Sequence, residues 1–222
     1  MRNVRVVIVA MVMALAFALA GCSMGPSPTE VTKGALDALK AQDHETLQTY
    51  IAGTPEELGV DALATGFAGA EGGSQTEAQK AFAEKFNKVA ADFDYEMGAE
   101  AIDGDTATVE VTITSHDMAA VVQDAMEEYL TEAFARAFDS PSEEEMADLF
   151  AQVFAKKLDP DAEKTHVATT TFNLSKVDGE WKLDKLSEDN ADCIFGGLLS
   201  AMNSINSSLN GTSNKASWLG AS

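Results

Sequence analysis

Two Asp-Gly pairs, Asp103-Gly104 and Asp178-Gly179, each stand between stretches in which apolar and polar residues alternate. Asp-Gly suits the two positive-φ positions of a type I′ turn, whose twist matches that of paired antiparallel strands, so each pair predicts a β-hairpin. The first joins residues 95–102 to 106–116. In the second of these strands Ala107, Val109, Val111 and Ile113 alternate with Thr106, Thr108, Glu110, Thr112 and Thr114, giving one dry face and one wet one. The second hairpin joins residues 165–177, alternating around Ala168, Thr170, Phe172 and Leu174, to Trp181-Lys182-Leu183.

The remaining periodic segments are helical. Residues 29–51 carry Val31, Leu36, Leu39, Leu47 and Ile51 on one side, with Thr29 as the cap, Thr32 as the weaker second choice, and a break near Asp43. Residues 53–76 are rich in Gly, Ala and Glu and read as a short helix within a connection. In residues 77–92 and just beyond, Phe82, Phe86, Val89 and Phe93 share one helix face. Residues 118–138 and the stretch ending near Leu158 form a helical hairpin. Ser140 and Glu143 make a capping box there, Pro141 takes the first helical position and Pro160 marks the stop. Residues 193–205 predict a last apolar helix, weakened by Gly196-Gly197, and a loose Ser-, Asn- and Gly-rich tail follows. This order predicts an α+β fold: a curved antiparallel sheet packed against N-terminal helices, with an inserted helical hairpin.

The start of the chain is an address. Arg2 and Arg5 precede an unbroken apolar run over residues 6–20, the pattern of an export signal. Fifteen helical residues span about 22 Å, short of the ~30 Å hydrocarbon thickness of a bilayer. The run ends in Leu19-Ala20-Gly21-Cys22, which resembles the bacterial lipobox. That resemblance implies a diacylglyceryl group on the Cys22 thiol, cleavage before it, and the lipid bilayer as a partner through acylated Cys22. The expected organisation is a signal peptide over residues 1–21, a lipidated tether over 22–28, a domain over 29–186, and a C-terminal helix and tail over 187–222. Loss of Arg2 and Arg5 takes the net charge from −21 to −23. Such acidity argues against nucleic acid and repels an anionic membrane surface. Cys193 is the other cysteine and is expected to be buried and inert.

Three stretches carry a family resemblance. They are Pro28-Thr29-Glu30-Val31 opening a helix after the tether, Ala38-Leu39-Lys40-Ala41-Gln42-Asp43 at its far end, and Lys176-Val177-Asp178-Gly179-Glu180-Trp181-Lys182-Leu183 closing the second hairpin. In these the chain resembles small bacterial lipoproteins of unknown function built on a nuclear-transport-factor-2-like, cystatin-like cone. The likeness covers roughly residues 29–186.

Titratable residues offer little concentrated chemistry. His116 and His166 fall at the ends of two predicted strands, near Asp117 and Glu163, and read as solvated strand-end residues; His44 lies at the predicted helix break. Asp92-Phe93-Asp94-Tyr95-Glu96 fails as a calcium loop, with Met97 where glycine is needed and Asp103 where glutamate is. Asp159, Asp161 and Glu163 alternate as chance allows in so acidic a chain, and Glu143-Glu144-Glu145 complements a helix N-terminus. Some enzymes of the cone-shaped fold use a pocket aspartate and tyrosine, for which Asp94, Tyr95 and Tyr129 are the positions here. No spacing singles them out, and no metal ligands, catalytic residues or cofactor are assigned.

The Met- and Phe-rich helical hairpin points instead to a binding surface. Met126, Tyr129, Phe134, Phe150 and Phe154 are the candidates for lining an apolar cavity. The expected function is a membrane-anchored, non-catalytic binding or interaction module on the outer face of a bacterial cell membrane, with an apolar small ligand or an envelope protein as partner. The alternatives are a small-molecule enzyme, and a domain that self-associates through the Thr-rich face of Thr108, Glu110 and Thr112.

Overall fold

A four-stranded antiparallel sheet in the order β1-β2-β3-β4 organises the molecule. The strands are β1 (Asp94–Asp103), β2 (Thr106–Ser115), β3 (His166–Val177) and β4 (Glu180–Leu183). The computed structural model describes residues 25–53 and 76–218, with side chains to residue 208. The leader, the lipobox of Leu19, Ala20, Gly21 and Cys22, and all but the two end residues of the connection over 53–76, where a short helix is expected, lie outside the described residues. Both Asp-Gly turns form hairpins, with Gly104 and Gly179 at positive φ. β1 carries an irregularity between Met97 and Glu100, opposite the Glu110 region of β2.

The described helices are α1 (Pro28–Ala41), α2 (His44–Tyr50), α3 (Glu77–Ala91), α4 (Met118–Arg136), α5 (Glu143–Lys157), α6 (Glu188–Ile194) and α7 (Leu198–Trp218). Helices α1 and α6 lie on the sheet; α3 packs on α5, α5 on α4, and α4 on α7. The alternation of β2 resolves as expected: Val109, Val111 and Ile113 are fully buried, while Thr108 and Glu110 face out. This is a mixed α+β fold with an open sheet and helices packed against it, as the hydrophobic periods predict. Every described core residue lies between Val31 and Ala201, so a chain starting at Ser23 keeps the whole described core.

Four local expectations are corrected. Ser27, not Thr29, caps α1, in a reciprocal box with Glu30. Thr29 instead donates its N–H (2.9 Å) and hydroxyl (2.7 Å) to Glu100 of β1, tying the first ordered turn to the sheet. Ser142 with Glu145, not Ser140 with Glu143, forms the capping box of α5. A 3₁₀ turn over Ala137–Asp139 leaves Ser140 left-handed at φ 51, which excludes the extended conformation a cap needs. The last apolar segment is two helices, because Gly196 and Gly197 both take positive φ. Gly196 passes so close to the sheet that a Cβ there would sit 1.8 Å from the carbonyl oxygen of His116. Finally, α7 continues to Trp218, where a loose tail was expected from Asn206 onward.

Candidate binding cleft

A cleft of about 250 Å³ opens where the α1–α2 junction, the C-terminal end of α3 and the α6–α7 turn converge. That volume holds about eight waters at ~30 Å³ each, enough for a short alkyl chain or one ring. Leu39, Leu47, Phe93, Ile194 and Phe195 form apolar walls. Depth comes from small side chains, Ala38, Ala90 and Ala91, where larger ones would fill the space. The polar residues Gln42, Asp43, His44 and Asn87 complete the lining.

The junction that presents these polar groups is built by capping. Gln42 adopts a left-handed conformation (φ 53, ψ 33) and its N–H closes on the carbonyls of Ala38 and Leu39. Its side-chain amide donates to the carbonyl of Asn87 (2.9 Å), bridging α1 to α3. Asp43 caps α2, accepting the N–H of Thr46 at 3.0 Å. Hydrogen bonds from Thr46 hold the Asp43 carboxyl below the usual carboxylate range, so it is an anion at neutral pH. Among the twelve described lining residues Asp43 is the one carboxylate, and no lysine or arginine joins them.

Beside the cleft runs a charge network that the sequence did not reveal. His116 is 5% exposed and its Nε2 lies 3.0 Å from Oδ2 of Asp92, correcting the expectation of a solvated histidine. Lys164 bridges Asp92 (2.9 Å) and Asp94 (2.6 Å), and Lys40 reaches Asp94 at 3.3 Å. Hydrogen bonding from Lys164 dominates in lowering both carboxyl pKa values, and the same two contacts raise that of Lys164. Tyr95 donates its hydroxyl to Asp37. Burial is the main cause that raises its pKa, followed by the Asp37 contact. Asp117 is occupied in capping α4 through the Ala120 N–H (2.9 Å), and Glu163 is exposed.

The five side chains expected to line a cavity are placed elsewhere. Phe154 is buried and stacks on Phe150 with centroids 4.1 Å apart; Tyr129 meets Phe150 edge-on at 5.6 Å. Met126 is half-buried against the same core, and Phe134 is 74% exposed. They form an α4–α5 packing seam that fades into solvent toward Phe138. Asp94, Tyr95 and Tyr129 do not converge either: Asp94 and Tyr95 take separate partners on β1, and Tyr129 belongs to that seam. Cys193 is a free, half-buried thiol whose pKa is raised chiefly by burial. The cleft was hidden because its lining comes from segments as far apart as Ala38 and Phe195. The signal available was the polar break between Leu39 and Leu47.

No family model matches the chain, and no curated protein matches it. Among solved structures the chain is similar to YcdA of Bacillus subtilis subsp. subtilis str. 168, a protein named as a lipoprotein. The TM-score is 0.51 at 17% identity, over 75% of this chain and 54% of that one. The likeness is one of fold. This chain spans about half the length of that neighbour. Among the described residues no helix is long and apolar enough to cross a membrane.

Proposed function

We propose that this chain is a lipoprotein of the bacterial cell envelope, held on the outer face of a membrane through acylated Cys22. In this reading it works as a non-catalytic module that takes a small apolar group into the α1–α3–α6 cleft. The anchor rests on Leu19-Ala20-Gly21-Cys22 closing an apolar run, and the name of the structural neighbour agrees with it. The binding role rests on one observation: a preformed cleft with five large apolar walls and its polar groups gathered at the α1–α2 and α3 side. Ligand sites are commonly such concavities, apolar with a few placed polar groups.

The anchor is tested by metabolic labelling with an alkyne fatty acid in a bacterial host. The wild-type chain incorporates label and Cys22→Ser loses it; equal labelling of both removes the anchor. For the cleft, hexan-1-ol is titrated into the chain starting at Ser23 and backbone amide shifts are followed. Shifts centre on Leu39, Phe93 and Phe195 and disappear in Ala91→Phe, which fills the cleft from a half-buried position. Shifts scattered over the surface, or unchanged by Ala91→Phe, defeat the binding role.

A further inference from the structure

We infer that the cleft selects a small organic cation, an ammonium group carried on an apolar body. This deepens the proposed binding role and rests on it. The apolar body has its place between Leu39, Phe93 and Phe195, and the charged end has its partner in Asp43.

Three observations set the sign of the ligand. First, Asp43 is the one carboxylate among the described lining residues; no lysine or arginine lies there, and the basic group beside it is the His44 imidazole. Lys40 is close by in sequence, but its ammonium is turned to Asp94 at 3.3 Å and lies over the Phe93 ring, 5.6 Å from its centroid. Second, the carboxylate is held in place. It caps α2 through Thr46, and the Gln42 amide bond to Asn87 fixes the same junction against α3, so little ordering remains to be done when a ligand arrives. Third, the whole chain carries a net charge of −21. A field of that sign raises the local concentration of cations and excludes anions. A carboxylate or phosphate ligand would meet both Asp43 and that field.

Hexan-1-ol, the hexylammonium ion and hexanoate share one alkyl chain and differ in the head group, so they isolate charge. Calorimetric titration into the chain starting at Ser23 is expected to show hexylammonium binding roughly twofold to fivefold tighter than hexan-1-ol, the range of an exposed ion pair. Hexanoate is expected to bind weakest. Asp43→Asn removes the charge and keeps the cap, since Asn caps as well as Asp. It is expected to bring hexylammonium to the affinity of the alcohol and to leave the alcohol unchanged, with a melting temperature near wild type. In the wild type the ammonium preference should also shrink as NaCl is raised, a readout independent of any variant. Equal wild-type affinities for ammonium and alcohol overturn the inference. So does a preference that survives Asp43→Asn, which would assign it to the diffuse charge of the chain. If none of the three binds, it is the cleft itself that fails as a binding site; if the alcohol binds without an ammonium preference, only the cation is lost.

Discussion

At the scale of single residues, the positions that matter most are those with no freedom to change. Gly196 combines φ 59 with a Cβ position 1.8 Å from a backbone oxygen, so Gly196→Ala must both strain its own backbone and push the α6–α7 turn off His116. A loss of about 3 kcal/mol or more is expected, read as a lower urea midpoint; a shift under about 1 kcal/mol would mean that the turn does not seat against the strand end. Lys164 is a second such position, through charge. Asp92 and Asp94 have pKa values lowered below 3.8 by this lysine, so as pH falls the unfolded chain takes up protons before the folded one. Their contribution is therefore complete above about pH 5 and is lost as pH falls through the folded values. The Lys164 pKa is raised above 10.5, so its own share is complete at neutral pH and is lost only as pH rises through its folded value. Lys164→Met should cost about 1 kcal/mol at pH 7, discounted because both carboxylates are roughly half exposed. It should also flatten the fall in stability between pH 5 and pH 3. Denaturation curves for wild type and variant that stay parallel over that range would remove Lys164 as the cause.

At the scale of elements, the capping of α5 separates what the sequence makes legible from what it does not. Ser140 and Ser142 stand two apart, each three residues before a glutamate, and the pattern cannot choose between them. The choice is made by the 3₁₀ turn at Ala137–Asp139, which leaves Ser140 left-handed and hands the cap to Ser142. Ser142→Ala is therefore expected to cost about 1 kcal/mol, and Ser140→Gly to be neutral or slightly stabilising, because glycine accepts φ 51 without strain. The opposite ranking in thermal melts would return the cap to Ser140. The hairpins were legible for the converse reason: Asp103-Gly104 and Asp178-Gly179 act locally, and Val109, Val111 and Ile113 need only a period of two. His116 shows where legibility ends. Its carboxylate partner, Asp92, is 24 residues away, and Gly196, whose turn closes on its backbone carbonyl, comes 80 residues later. The cleft is hidden in the same way, since Asp43, Asn87 and Phe195 meet only after α1, α3 and α6 have packed. Phe134 read as cavity lining because the helical hairpin is rich in Met and Phe; the structure leaves it exposed on α4, together with Leu130.

At the scale of the whole molecule, acidity and ion pairing pull in opposite directions under salt. The chain holds 36 Asp and Glu against 15 Lys and Arg, so most carboxylates have no cation to themselves and the folded state concentrates their repulsion. Against this stand ion pairs that salt would weaken, but several are exposed on both sides, as in Lys33–Asp37 at 57% and 50% and Lys80–Glu77 at 57% and 94%. Pairs of that kind contribute little, because solvent screens them, and they run along single helices, so they do not join the layers. The Lys164 and Lys85 contacts do join layers, and their lysines are better shielded. Lys164 is 22% exposed, and Lys85 donates to the carbonyls of Ala155 and Leu158 at the end of α5. These lose less to screening than the diffuse repulsion does, because screening is strongest between exposed charges separated by more than a Debye length, about 10 Å at 0.1 M. Raising NaCl from about 10 mM to about 200 mM, where the Debye length falls from roughly 30 Å to below 10 Å, should therefore raise the melting temperature of the chain starting at Ser23 by a few degrees. In Lys164→Met the rise should be at least as large, since one attraction has been removed and the repulsion has grown. A melting temperature that falls steadily with salt would mean that the surface pairs, and not the layer-joining lysines, carry the electrostatic stability of the fold.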